Sequence, residues 1–120
     1  MSVFLDQEKF MTACDQTVGT LNDDQFHLYI ELIKEEMIEL HEAIDCNDRV
    51  EILDALLDIV VVTVGAMHSL GVDSEGAWNE VIRSNMSKID PESGKVIKRD
   101  DGKVLKPDSF SPPNLASFVR

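Results

Sequence analysis

The chain is short of cysteine, of basic residues and of long apolar runs, and each shortage closes off a class of function. Only Cys14 and Cys46 are present, far apart and in no Cys-x-x-Cys pair. That argues against a disulfide scaffold or a zinc knuckle and suits a reducing cytoplasm. Eleven Lys+Arg stand against 23 Asp+Glu, a net charge of −12, so no basic field is available to displace counterions from a nucleic acid. The longest purely apolar run, Ile59-Val60-Val61-Val62, falls far short of the roughly 20 residues that cross a bilayer. The opening Met1-Ser2-Val3-Phe4-Leu5-Asp6 lacks the basic region and apolar stretch of a signal peptide. Neither nucleic acid nor membrane is an expected partner.

What is present is a 120-residue chain, 43% hydrophobic and 28% charged, enough for one soluble folded domain with an arm. The charge is divided. Residues 1–82 carry 3 of the 11 basic and 18 of the 23 acidic side chains, a balance of −15, and residues 83–120 balance at +3. The expected organisation is an acidic helical bundle over residues 1–90 and a basic arm over 91–120, packed on the bundle or on a partner subunit. Solvated faces explain most asymmetries of this kind; an acidic metal site facing basic phosphate-binding groups explains it as well.

To about Asn85 the pattern is helical. Phe10, Met11, Cys14 and Val18 fall at helical spacing before Gly19. A second segment begins after Asn22-Asp23-Asp24 and carries the stripe Phe26, Ile30, Ile33, Met37, Leu40 and Ile44 to about Asp45. A third runs from Asn47 or Asp48 to Leu70, and Asp73-Ser74 caps a fourth. The spacing predicts an all-α fold, a four-helix antiparallel bundle. Gly94-Lys95-Val96-Ile97-Lys98 is nearly repeated as Gly102-Lys103-Val104-Leu105-Lys106, which predicts a short C-terminal hairpin on an Asp-Gly turn, or an extended arm.

The chemical signal lies in acids where apolar residues belong. Glu51, Asp54 and Asp58 lie within roughly 60° of one another on the third helix, whose other sides are mostly apolar. A helix apolar all round is buried, and carboxylates there repel one another and resist desolvation unless a cation neutralises them. Glu51 has an alternative role, since Asp48-Arg49-Val50-Glu51 also reads as a capping box. Glu36 and Glu39 share the flank of the second helix's apolar stripe, with Glu35 at its edge and Glu31 and Glu42 further round toward solvent. Side-by-side packing of the two helices lets four to six carboxylates converge in a largely dry pocket. All-oxygen ligation suits Mg²⁺, with Mn²⁺ as a substitute, rather than zinc or copper. A di-iron carboxylate site needs Glu-x-x-His twice, and His27, His41 and His68 follow Asp24, Ile38 and Gly65 instead.

Glu35-Glu36-x-x-Glu39 followed by Glu51-x-x-Asp54 resembles the signature of the all-α nucleoside triphosphate pyrophosphohydrolases, the MazG-like enzymes and phosphoribosyl-ATP pyrophosphatase among them. The stretch from Asp54 to Gly65, Glu80–Lys88, and the tail Asp101-Gly102-Lys103-Val104-x-Lys106-Pro107 resemble the phosphoribosyl-ATP branch. The resemblance implies that Glu36, Glu39, Glu51 and Asp54 hold Mg²⁺, with Asp58 joining directly or through water, and that Glu35 orients or deprotonates the attacking water. It implies that Asn85 and Lys88, and more weakly Arg83, Lys103 and Lys106, reach phosphate or nucleotide groups. The short Cys46-Asn47-Asp48 link departs from the pattern and leaves little to read a base. A homodimer or a pair of dimers is the expected assembly, which the apolar excess of the third helix also favours. The expected reaction is NTP or dNTP + H₂O → NMP + PPi. Hydrolysis of phosphoribosyl-ATP, and a non-catalytic acidic module with a structural cation, stand as alternatives.

Overall fold

A computed structural model describes residues 2–120. Four helices follow in order: α1 (Val3–Ala13), α2 (Asp23–Asp45), α3 (Arg49–His68) and α4 (Ser74–Met86), with a short 3-10 turn at Ala116–Phe118. No strand forms among the described residues, and the fold is all-α with a short C-terminal arm. Among the described residues no helix is long and apolar enough to cross a membrane.

Polar side chains set the helix starts. Ser2, Asn22 and Asp48 each accept a backbone N–H of the first turn, satisfying donors that have no partner inside the helix. The α2–α3 link is only Cys46-Asn47-Asp48, and Asn47 turns the chain at φ 53°, a left-handed conformation that asparagine tolerates. The N–H groups of Cys46, Asn47 and Asp48 return to the Glu42, Ile44 and Ala43 carbonyls. So tight a link makes α2 and α3 an antiparallel pair.

The chain divides into two compact units. The first ends at Ser74 and takes in Arg120; the second is Glu75–Val119. In the first, α3 packs against α2 and α1. Met11, Tyr29 and Ala66 form the buried centre, ringed by Val18, Phe26, Ile30, Leu32, Ile33 and Val62. The Tyr29 ring lies on the α3 backbone: a Cβ on Gly65 would stand 2.3 Å from Tyr29 Cε1. Buried His68 ties α1 to α3. Its Nε2–H donates to the Phe4 carbonyl, an acceptor only, at 2.8 Å, which leaves Nδ1 to accept from the Ser74 hydroxyl at 3.2 Å.

Two sequence expectations need correction. The stripe on α2 is not uniformly core, since Met37 is 41% and Ile44 50% exposed while Gln25, Tyr29 and Ala43 are buried. Nor is α3 buried on all sides within one chain. Val50, Leu53, Leu56, Leu57, Val60 and Val61 are exposed, because two neighbouring helices in the first unit cover only part of its circumference.

In the second unit, the arm forms a hairpin one bridge wide, Lys98 to Val104. The Gly102 N–H reaches the Arg99 carbonyl and the Arg99 N–H reaches that of Lys103. Gly102 sits at φ 89°, so the turn is a tight one closed by a left-handed glycine. Residues 107–114 are stitched to α4. The Ser111 N–H donates to Ser87 Oγ at 2.9 Å, and the Asn114 N–H donates to Glu80 Oε2 at 2.7 Å.

Candidate metal centre

Positions three and four apart on a helix share a face, so α2 presents Glu36 and Glu39 together and α3 presents Glu51, Asp54 and Asp58. The antiparallel pairing of these helices brings three acids to one point. Carboxylate oxygens of Glu36, Glu39 and Asp58 lie within 4.8 Å of one another. Glu36 and Asp58 are half-buried and Glu39 is exposed. Glu36 Oε2 is buried without a hydrogen-bond partner, an arrangement that costs free energy unless a cation or proton meets it.

The electrostatics follow from that geometry. Burial, with the hydrogen bond and charge of Glu39 and the charges of Asp58 and Asp54, pushes the Glu36 carboxyl up to about 7. Burial, then the charges of Asp54 and Glu39, raises Asp58. Like charges crowded at a half-buried point favour the protonated form of the carboxyl they surround. All the donors are hard carboxylate oxygens, and the site offers one of them with no other partner. That set fits a divalent cation of the oxygen-seeking class.

Beside the cluster, toward the α2–α3 link, lies a cavity of about 340 Å³ lined by Glu39, Glu42, Ala43, Cys46, Asp48, Glu51, Asp54 and Ala55. Glu39 thus belongs to the cluster and also borders the cavity, opposite Glu51 and Asp54 of the facing helix. The capping-box alternative for Glu51 is only half realised. Asp48 Oδ1 accepts the Glu51 N–H at 3.2 Å, but the Asp48 N–H goes to the Ala43 carbonyl, and the Glu51 side chain lines the cavity.

The site differs from the expected dry pocket. Glu39, Glu51 and Asp54 are exposed in the single chain, and Glu35, also exposed, is outside the three-acid cluster. Its neighbour Glu36 faces α3, and one residue along a helix turns a side chain about 100° away. Glu42 is exposed, as expected, and also lines the cavity. Its position is one turn beyond Glu39 and next to Ala43, and the small side chains of Ala43 and Ala55 leave the space it borders.

The basic candidates belong to the second unit. Arg83 is committed to Glu80, with Nε 2.6 Å from Oε1, and also reaches the Pro112 carbonyl at 3.2 Å. That guanidinium and the Asn114 N–H hold the Glu80 carboxyl down at about 2. Asn85 Oδ1 accepts from Lys88 Nζ at 3.3 Å. Lys88 and Lys106 both stand over the Phe110 ring. Lys103 contributes its backbone to the hairpin. No motif or spacing in the sequence marks Phe110, whose role at the two lysines depends on the folded arm.

Residues 10–85 match the family model described as phosphoribosyl-ATP pyrophosphohydrolase. That span contains every acid of the centre, together with Arg83 and Asn85, and stops short of Lys88. No curated protein matches the chain.

Proposed function

The chain belongs to the phosphoribosyl-ATP pyrophosphohydrolase family, enzymes that cleave phosphoanhydride bonds, and we propose that it hydrolyses NTP or dNTP to NMP and PPi with Mg²⁺. The observation that carries this reading is the convergence of the Glu36, Glu39 and Asp58 oxygens, one of them buried and unpartnered. Family membership equally supports phosphoribosyl-ATP as the substrate. It removes the reason for a purely structural cation.

In this reading Glu36, Glu39 and Asp58 hold the ion, and Glu51 and Asp54 add oxygens from the cavity side; Mn²⁺ suits the same donors. Bound Mg²⁺ supplies charge neutralisation, polarises phosphoryl oxygens and lowers the pKa of water. Glu35, with Glu39 as its partner on the same helix, orients the attacking water and accepts its proton. Arg83, Asn85, Lys88, Lys103 and Lys106 contact phosphate or nucleotide groups and stabilise charge on the leaving pyrophosphate. The enzyme works in the cytoplasm as a homodimer or a pair of dimers, which would cover the exposed apolar side of α3.

The test is pyrophosphate release from a panel of NTPs, dNTPs and phosphoribosyl-ATP, with Mg²⁺ and with EDTA. Mg²⁺-dependent release from at least one nucleotide is expected, with a loss of about a hundredfold or more in Glu39→Gln at a thermal stability no lower than that of the unaltered chain. Turnover of phosphoribosyl-ATP alone selects the second substrate, and no turnover of any compound rejects the proposal.

A further inference from the structure

We propose that Phe110 is a positioning residue that gathers Lys88 and Lys106 into one binding site for a polyphosphate anion, an inference that rests on reading those two lysines as substrate contacts. Lys88 Nζ stands 5.8 Å and Lys106 Nζ 5.0 Å from the centre of the same ring, so the ammoniums are at most about 11 Å apart. A ring face attracts a cation through its quadrupole, and one ring shared by two cations draws like charges together. Neither ammonium is in an ion pair among the described residues. The hydrogen bond from Lys88 goes to a neutral partner, Asn85 Oδ1. A polyphosphate that reaches both ammoniums would relieve their repulsion, and charge-assisted hydrogen bonds of about 2.8 Å suit phosphate oxygens.

The ring itself is fixed. The Phe110 N–H donates to the Pro107 carbonyl at 3.0 Å. The flanking serines are anchored to the end of α4: Ser109 Oγ donates to the Ser87 carbonyl at 3.1 Å, and the Ser111 N–H donates to Ser87 Oγ at 2.9 Å. The half-buried ring therefore serves as a stand for two long, flexible side chains, and it reduces the freedom they lose when an anion binds. All three residues lie beyond the segment that matches the family model, Lys88 just past the end of α4 and Lys106 and Phe110 on the arm.

Titration of the full chain with inorganic pyrophosphate in EDTA isolates the pair, because without a cation the acidic centre repels the ligand. Saturable, salt-sensitive binding is expected, weakened about fivefold in Phe110→Leu by loss of two exposed cation–π contacts. Phe110→Tyr should restore it, and Lys106→Gln should weaken it. Should Phe110→Leu lose its cooperative thermal transition, a double-mutant cycle between Lys88→Gln and Lys106→Gln decides instead, with non-additive losses expected. No pyrophosphate binding by the unaltered chain overturns the proposal, as does unchanged affinity in folded Phe110→Leu or strict additivity in the cycle. Because no turnover is measured, these outcomes are separate from those of the nucleotide panel.

Discussion

At the scale of single residues, the centre is a set of acids placed so that they cannot all be ionised without help. Glu36 shows this most directly, its carboxyl raised to about 7 by burial and by the acids facing it. A folded-state value above the unfolded one means that the folded, metal-free protein binds more protons between about pH 4.5 and 7. Stability therefore falls as pH rises through that window. Thermal unfolding in EDTA should show Tm declining from about pH 5 to about pH 8, and Glu36→Gln should flatten the decline and raise Tm at the alkaline end. Added Mg²⁺ should reverse the loss and release protons, measurable by calorimetry in two buffers of different ionisation enthalpy. A slope unchanged by Glu36→Gln would assign the crowding to other acids. That Glu36 and Glu39 share one face of α2, and Glu51, Asp54 and Asp58 one face of α3, was legible from their spacing. Which three meet most closely was not, because spacing fixes angles on each helix and leaves the rotation of one helix against the other open.

At the scale of elements, α2 and α3 are set by their starts, their three-residue link and one place of close approach. The starts at Asn22 and Asp48 were legible, since a capping side chain acts locally. The apolar stripe of α2 holds at Phe26, Ile30 and Ile33, which pack against the buried centre, and fails at Met37 and Ile44, which are exposed. The helices meet instead where small groups allow it, with Tyr29 laid on Gly65 and with Ala43 and Ala55 buried beside the cavity. Gly65→Ala tests that approach. Alanine favours the helix by about 1 kcal/mol, yet its Cβ would stand 2.3 Å from a Tyr29 ring carbon, and overpacking costs about 1–3 kcal/mol. Urea unfolding should show net destabilisation, and Tyr29→Leu in the same background should recover part of it. A stabilised Gly65→Ala would mean the ring moves aside at little cost.

At the scale of the whole molecule, the apolar side of α3 is the largest debt left by the single chain. Leu57, Val60 and Val61 are 56%, 45% and 43% exposed, and with Val3 and Val64 they line a groove of about 210 Å³. Light scattering at micromolar concentration should give a mass of two or four chains, and Val60→Lys should shift it toward one. A monomeric unaltered chain at every concentration would refute the assembly. The division of charge between body and tail was legible from the sequence, whereas the anchoring of the tail was not, since its contacts link residues tens of positions apart. One such anchor remains. The Arg120 N–H meets the Gly71 carbonyl at 2.8 Å and its guanidinium meets the Gly19 carbonyl at 3.1 Å. The chain thus departs at Ser74 and comes back three residues from its point of departure. A segment whose entrance and exit are neighbours behaves as an interchangeable cassette. Exchange of that cassette would leave the acid-bearing helices with their own anchors.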